Sequence, residues 1–282
     1  MNWLRITSAR SGVYAIEEPG HVVFYLVNGR SHTALIDTGM GFTSLRHELR
    51  SLLRPNVMVL NTHWHYDHVG GNHEFDHIGI STSEANLIGL ELPNSLLQTI
   101  CLQPAVADGT PLPDSLDHAS YHIPATRPSF TIAEGDIIDL GGRTLEAIAT
   151  PGHSRGSLSF FDSHTGDLFI GDLVYRSDIY WQFAESDLDE AIGSLQKLLA
   201  RQSDFLRLGP CHGPYPLPPS FLQTALDAAQ TVRDGAPPDA IIPAFGDRCR
   251  VHQFVGFQIW TKLPGEPGAD LVKLFLDHKK EF

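Results

Sequence analysis

The stretch from Asn61 to Gly71, NTHWHYDHVGG, restricts this chain more than any other part of it. Between a hydrophobic run and two glycines it crowds His63, His65, Asp67 and His68 into one turn. Imidazole nitrogens and carboxylate oxygens together suit Zn²⁺, with Fe or Mn as further occupants of the same donor set. His63 and His65 stand two apart, which fits a strand end or turn projecting both rings to one side. Asp67 and His68 follow a bend and face a neighbouring position. So short a loop gives all four to one ion only with difficulty, whereas two adjacent ions can divide them.

Three further ligand-type residues stand at strand tips followed by a glycine or a turn: His153 in TPGHS, Asp172 in IGDLVY and His212 in GPCHG. A lone histidine is more often structural, and this chain has 15. Their weight comes from being joined to the cluster and lying at matching points of the pattern, because α/β sheets carry their sites beyond strand ends.

The surrounding pattern is mixed. GVYAIEE and HVVFYLVNG are rich in β-branched and aromatic residues, NGRSH carries an Asn-Gly hairpin signal, and TALIDTG reads as a third strand ending at Asp37. Residues 43–53 have helical spacing of Leu45, Leu49, Leu52 and Leu53, with Thr43 or Ser44 as N-cap. VMVLN is a short buried strand that delivers the histidine cluster. Residues 84–128 hold an apolar helical piece, SEANLIGLEL, and then a proline-dotted stretch. They read as an insertion, either a cap over a pocket or a surface loop without a role. From Phe130 strands resume, SDLDEAIGSLQKLLAR and PPSFLQTALDAAQTVRDG read as helices, and RVHQFVGFQIWTKL reads as a late strand or hairpin. No repeat of solenoid period occurs. The expectation is one domain over residues 1–282, with 216–282 as a C-terminal helix and strand extension.

Composition narrows the partners. A formal net charge of −13 repels phosphate backbones and anionic lipid over most of the surface, so neither nucleic acid nor membrane is an expected partner. Three scattered cysteines form no disulfide framework and no CxxC pair. The first residues have no signal-peptide core, and no run approaches the roughly 20 apolar residues of a membrane span. A cytoplasmic location, a small-molecule substrate and an undetermined oligomeric state are the expectations. The terminal DHKKEF reads as a solvated tail.

H-x-H-x-D-H, preceded by Asp37 and followed in order by His153, Asp172 and His212, resembles the metallo-β-lactamase-fold hydrolase superfamily over about residues 12–215. The resemblance implies an α/β fold, an αββα sandwich of two packed sheets with helices outside. It implies two zinc ions per chain, one held by His63, His65 and His153, the other by Asp67, His68 and His212, with Asp172 bridging. Asp37 would accept a ring N–H from a ligating histidine and fix its tautomer; its plainer reading is a turn-capping aspartate. The chemistry implied is hydrolysis by a water shared between two cations, which lower its pKa towards neutrality. Asp67 would also orient that hydroxide or pass a proton.

Within the superfamily, TPGHSRGSLSFF followed by GDLVY resembles glyoxalase II-like thioesterases and the branch that includes acyl-CoA thioesterases. The expected function is therefore hydrolysis of an acyl-CoA or glutathione thioester. Lactone or carboxylic ester hydrolysis is the nearest alternative, and persulfide oxidation at a single iron is another. Tyr175 matches a tyrosine that bonds the substrate carbonyl in the related lactonases, or else packs in a strand-to-helix connection. Arg155 either orients a substrate carboxylate or phosphate or pairs with a nearby acid. Tyr180, Trp181 and Phe183 either line an acyl pocket or belong to the core.

Overall fold

The computed structural model describes residues 3–278; residues 279–282, the greater part of the DHKKEF tail, lie outside the described residues. Seven strands form the first sheet in chain order: β1 (Arg5–Arg10), β2 (Val13–Glu18), β3 (Val22–Asn28), β4 (His32–Ile36), β5 (Asn56–Leu60), β6 (Ile78–Ser81) and β7 (Phe130–Ile132). Neighbours are antiparallel as far as β4 and parallel beyond it. The second sheet holds β8 (Ile137–Asp139), β9 (Thr144–Ala149), β10 (Leu158–Asp162), β11 (Asp167–Gly171) and β13 (Arg207–Pro210), ordered β13-β11-β10-β9-β8.

The two sheets pack face to face. Alternation along β3 shows how one strand serves two layers. Tyr25 and Val27 enter the core between the sheets, with Leu60, Leu145, Phe160 and Phe169, while Phe24 and Leu26 face an outer layer. On that outer side lie α1 (Leu45–Glu48), α2 (Tyr66–Val69), α3 (Asn94–Leu97), α4 (Gln103–Asp108) and, late in the chain, α7 (Leu271–His278). On the far side α5 (Leu188–Leu199) and α6 (Phe221–Arg233) cover the second sheet through Ile192, Leu195, Leu222 and Ala225. Asp187 caps α5 by accepting from the N–H groups of Asp189 and Glu190. This is the αββα order. No helix among the described residues is long and apolar enough to cross a membrane.

Three elements depart from the sequence reading. The helix expected over 43–53 is a single turn, α1, capped as expected by Ser44, whose Oγ accepts from His47 N–H. The sheet claims the rest: Asn28 donates to Leu52 O at 2.9 Å, and Thr33 Oγ1 accepts from Arg54 N–H at 2.8 Å. SEANLIGLEL yields only a short turn at Leu87–Gly89, because Leu92 pairs in extended form with Ile123. The helix forms after it, running from α3 through a π turn at Gln98–Leu102 into α4 and ending at Gly109 with φ +72°. Pro93 and Pro104 do not block it: one precedes the first turn in extended form, and the other, inside the continuous run, follows the π turn, where the ordinary i→i−4 ladder is already interrupted.

The third departure is a four-stranded sheet absent from a plain sandwich. In it β12 (Asp178–Trp181) lies beside β16 (Phe257–Lys262), followed by β15 (Asp247–Phe254) and β14 (Ala240–Ala244). RVHQFVGFQIWTKL is the β15–β16 hairpin of this sheet.

At one pole of the sandwich, remote from the tips of β5 and β9, Arg143 ties the sheets together. Its guanidinium pairs with Asp162 of β10 and donates from Nη1 to the carbonyls of Ser11 at 2.6 Å and Asn28 at 3.1 Å. Both charged side chains are almost wholly buried. Removing one partner of a buried, hydrogen-bonded pair strands the other charge, so Arg143→Ala should lower the unfolding free energy by about 3–5 kcal/mol. Urea denaturation monitored by tryptophan fluorescence checks this, and an unchanged midpoint would refute it.

Candidate metal centre

The histidine loop is built where β5 ends. Beyond Leu60, the buried Asn61 donates to His68 O at 3.1 Å, and Asn72 donates back to Asn61 Oδ1 at 2.8 Å, so the loop folds over its own start. It docks on the turn after β4, where Thr38 N–H donates to His68 O at 2.9 Å and Gly70 N–H to Gly39 O at 2.9 Å. The contact leaves no room for a side chain: a Cβ on Gly70 would stand 2.2 Å from the Met40 carbonyl carbon. That close approach accounts for a glycine two residues after the last ligand-type residue of the loop, His68.

His153, Asp172 and His212 arrive from the ends of β9, β11 and β13, and Tyr175 follows three residues after Asp172. Glu84 shapes the turn that carries His153, its Oε1 accepting from Ser154 Oγ at 2.6 Å and Gly156 N–H at 2.7 Å. A Cβ on Gly152 would press on the Ala191 backbone at 2.5 Å, so this turn also sits tightly against α5.

The five histidines share one design. Each ring bonds to a neighbouring oxygen through one nitrogen, and His65 Nδ1 and His153 Nε2 also meet each other at 2.9 Å. His63 Nδ1 meets Thr62 Oγ1 at 3.0 Å, His65 Nε2 meets Glu185 Oε1 at 3.0 Å, and His68 Nδ1 meets Asp37 Oδ2 at 2.9 Å. His153 Nδ1 meets Tyr180 O at 2.6 Å, and His212 Nδ1 meets His21 O at 2.9 Å. Three of the other nitrogens converge on the carboxylates. His212 Nε2 is 3.2 Å from Asp67 Oδ2 and 3.2 Å from Asp172 Oδ2. His68 Nε2 is 3.5 Å from Asp67 and 3.6 Å from Asp172, and His153 Nε2 is 3.7 Å from Asp172. His63 Nε2, His68 Nε2 and Asp172 Oδ1 are buried without a hydrogen-bond partner in the protein. Buried polar atoms left this way call for an ion or water.

The grouping fits cations. His63, His65 and His153 place ligand atoms within 4.8 Å of one another, and so do Asp67, His68 and His212; Asp172 groups with His63 and His68 between them. A further grouping of Asp37, His68 and Cys211 lies on the Nδ1 side of His68, where the bond to Asp37 already occupies the ring. Burial pushes the Cys211 thiol up, so it stays protonated and directs its Sγ to Asp37 Oδ2 at 3.5 Å.

Protonation divides the ligand-type histidines: burial lowers His68, but Asp67, Asp172 and Asp37 outweigh it and hold the ring well above the usual imidazole range. Burial holds His63 well below the usual imidazole range, and burial beside His65 brings His153 down to about 4, so both offer lone pairs at neutral pH. Burial raises Asp67 and Asp172, but the rings of His68 and His212 outweigh it and keep both carboxyls well below the usual range. Burial lowers His212, yet Asp172 and Asp67 overcome that and push it up to about 10. A cation entering between these groups therefore takes the place of protons.

The centre lies in a cavity of about 770 Å³, within the usual range for small-molecule sites. Tyr175 and Tyr180 line it, as do Ile100, Cys101, Pro104 and Ala105 from the 84–128 segment. Tyr175 is buried, its ring is 5.1 Å from that of His212, and its hydroxyl has no partner in the protein. Arg155 is exposed and is not among the cavity-lining residues, because its turn directs it outward past Ser154. Trp181 is buried in the core over the second sheet rather than on the cavity wall. Strand alternation explains the split: along β12, Tyr180 faces the cavity and Trp181 the opposite side.

Glu185, Glu84, Thr62 and the His21 carbonyl all hold ligand-type residues in place and were not singled out from the sequence. They are scattered acceptors with no spacing signal.

A family model described as the metallo-beta-lactamase superfamily matches residues 18–243. The human protein named acyl-coenzyme A thioesterase MBLAC2 is 28% identical over 216 residues, spanning 71% of this chain and 76% of its own length. The chicken (Gallus gallus) protein of that name is 30% identical over 213 residues, with the same coverage. A hydroxyacylglutathione hydrolase of Rhodospirillum rubrum is 27% identical over 229 residues, 77% of this chain and 76% of that one. Among solved structures, a metallo-beta-lactamase from Pontibacter korlensis superposes with a TM-score of 0.58 at 22% identity, covering 80% of this chain and 99% of that one.

Asp37 accepts from Thr62 N–H, Thr62 Oγ1 and His68 Nδ1 at the base of the histidine loop. Asp37→Asn keeps the size and the turn but loses acceptor capacity toward Thr62 and His68. Zinc affinity should fall about 10–100-fold, measured by competition with a chromophoric chelator; an unchanged affinity would show that the carboxylate does not orient the ligands.

Proposed function

The chain belongs to the metallo-beta-lactamase superfamily and is a hydrolase, and on that premise we propose that it cleaves small-molecule thioesters with two zinc ions. The observation that carries this reading is the arrangement of five histidines, each anchored to a neighbouring oxygen through one nitrogen, around two ionised aspartates. His63, His65 and His153 would hold one ion, Asp67, His68 and His212 the other, and Asp172 would be shared. Two complete ligand sets favour two ions over the single iron of a dioxygenase. When bound, such a pair supplies Lewis acidity and a nucleophilic water near neutral pH.

The chain's own groups supply the rest. Burial pushes the Tyr175 phenol well above its ordinary value, so its hydroxyl remains a donor, and it has no internal acceptor to satisfy it. In this reading it donates to the acyl oxygen as negative charge develops there. Asp67 orients the attacking water and accepts its proton, which then passes to the departing sulfur. Tyr180 and Phe183 line the same cavity and pack on the apolar part of the substrate. A thioester is preferred over a lactone or simple ester because relatives named acyl-coenzyme A thioesterase and hydroxyacylglutathione hydrolase share most of this chain's length.

The test is thiol release from acyl-CoA and glutathione thioesters by zinc-loaded protein. Asp172→Ala should abolish release and lose bound metal; retained turnover would end the model. Tyr175→Phe should lower kcat by about 10²-fold, the usual loss for one donor to a developing oxyanion, with metal content unchanged. A Tyr175→Phe enzyme as fast as the parent would return that residue to packing alone. Release from no thioester, with turnover of lactones or esters, would replace the substrate class while keeping the centre.

A further inference from the structure

The turn joining β14 to β15 carries two residues of positive φ, Phe245 at +49° and Gly246 at +78°. This is the φ pattern of the two-residue hairpin turn whose first position favours Asn, Asp or Gly. A bulky side chain in the left-handed region is a backbone outlier, and such strain persists only where the surroundings fix it. Here the surroundings are a row of rings. Phe245 packs edge-on against Phe183 at 5.2 Å and Tyr180 at 6.1 Å between centroids. Phe183 in turn stands edge-on to His65 at 5.2 Å and His153 at 5.8 Å. An aromatic wall thus runs from the ligand-type histidines to the tip of the third sheet, and Leu271 of α7 also faces the cavity. Phe245 lies past the residues matched by the family model, so the family motif does not account for it.

We propose that Phe245, with Tyr180, Phe183 and Leu271, forms a subsite for an apolar acyl group of medium length, which extends from the metal centre along this wall. The strained turn places an aromatic ring where an unstrained turn residue would leave the wall open. An apolar chain gains by leaving water for this surface, whereas an acetyl group ends short of Phe245. The identity of the acyl group as part of a thioester rests on the reading given above, but the subsite itself can be tested by binding.

The experiment is calorimetric titration of octanoate and acetate into zinc-loaded full-length protein and its Phe245→Asn variant, with thermal unfolding of both. The octanoate-to-acetate affinity ratio should fall about tenfold in the variant, the effect of one or two lost methylene contacts. Tm should not fall, because Asn suits the turn. Phe245→Gly serves the same comparison if the Asn variant does not fold. An unchanged ratio would overturn the proposal, as would a lower Tm with both affinities reduced in parallel. The same ratio is then read in kcat/KM for octanoyl and acetyl thioesters. If neither protein cleaves any thioester, the functional reading falls while the affinity ratio still decides the subsite.

Discussion

The centre depends on one buried carboxylate. Asp37 leaves β4 with φ +65°, a conformation aspartate tolerates better than most residues, and its side chain is wholly buried. It accepts from Thr62 N–H and Thr62 Oγ1, both at 2.7 Å, and from His68 Nδ1 at 2.9 Å. Because the Thr62 hydroxyl donates to Asp37, it has a lone pair left for His63 Nδ1–H. One carboxylate therefore sets the tautomer of two histidines, one directly and one through a hydroxyl relay. Cys211, at the end of β13, touches the same oxygen, so Asp37 also reaches across to the strand end that delivers His212.

The same logic extends outward. A buried charge is tolerated when its hydrogen-bonding capacity is used, and every histidine at the centre has spent one nitrogen before any ion arrives. What remains is a set of nitrogens and carboxylate oxygens aimed at one another, held by protons on His68 and His212 where a cation can replace them. The fold supplies this by placing the tips of β5, β9, β11 and β13 at one end of both sheets, with short turns fixed by glycines at points of close approach.

How much of this was legible in the sequence follows from what each residue needs. His63, His65, Asp67 and His68 lie in one turn, and His153, Asp172 and His212 lie at strand tips. Local spacing and strand periodicity expose such positions. Glu185, Glu84 and the His21 carbonyl act through contacts between segments remote in sequence, and an isolated acid or a backbone oxygen carries no pattern. The aromatic run past Asp172 could not be sorted without knowing the phase of β12, which sends Tyr180 and Trp181 to opposite sides. The third sheet was hidden for a related reason, since β12 and β16 pair in parallel across most of the C-terminal half. The helix of the 84–128 segment formed after Pro93 instead of before it, because a tertiary pairing at Leu92 outweighed the local apolar spacing.

The Arg143 contact now acquires a mechanical meaning. It joins the sheets at the rim opposite the histidines, through charge and carbonyl bonds that the chain supplies for itself. The histidine rim is joined by the chain as well: Leu158 N–H of the second sheet donates to Thr62 O at 2.8 Å, and Val23 N–H of the first donates to Cys211 O at 2.7 Å. The sandwich is thus bound along both edges like a book with two spines, and the histidines sit between covers whose register is already set from either side.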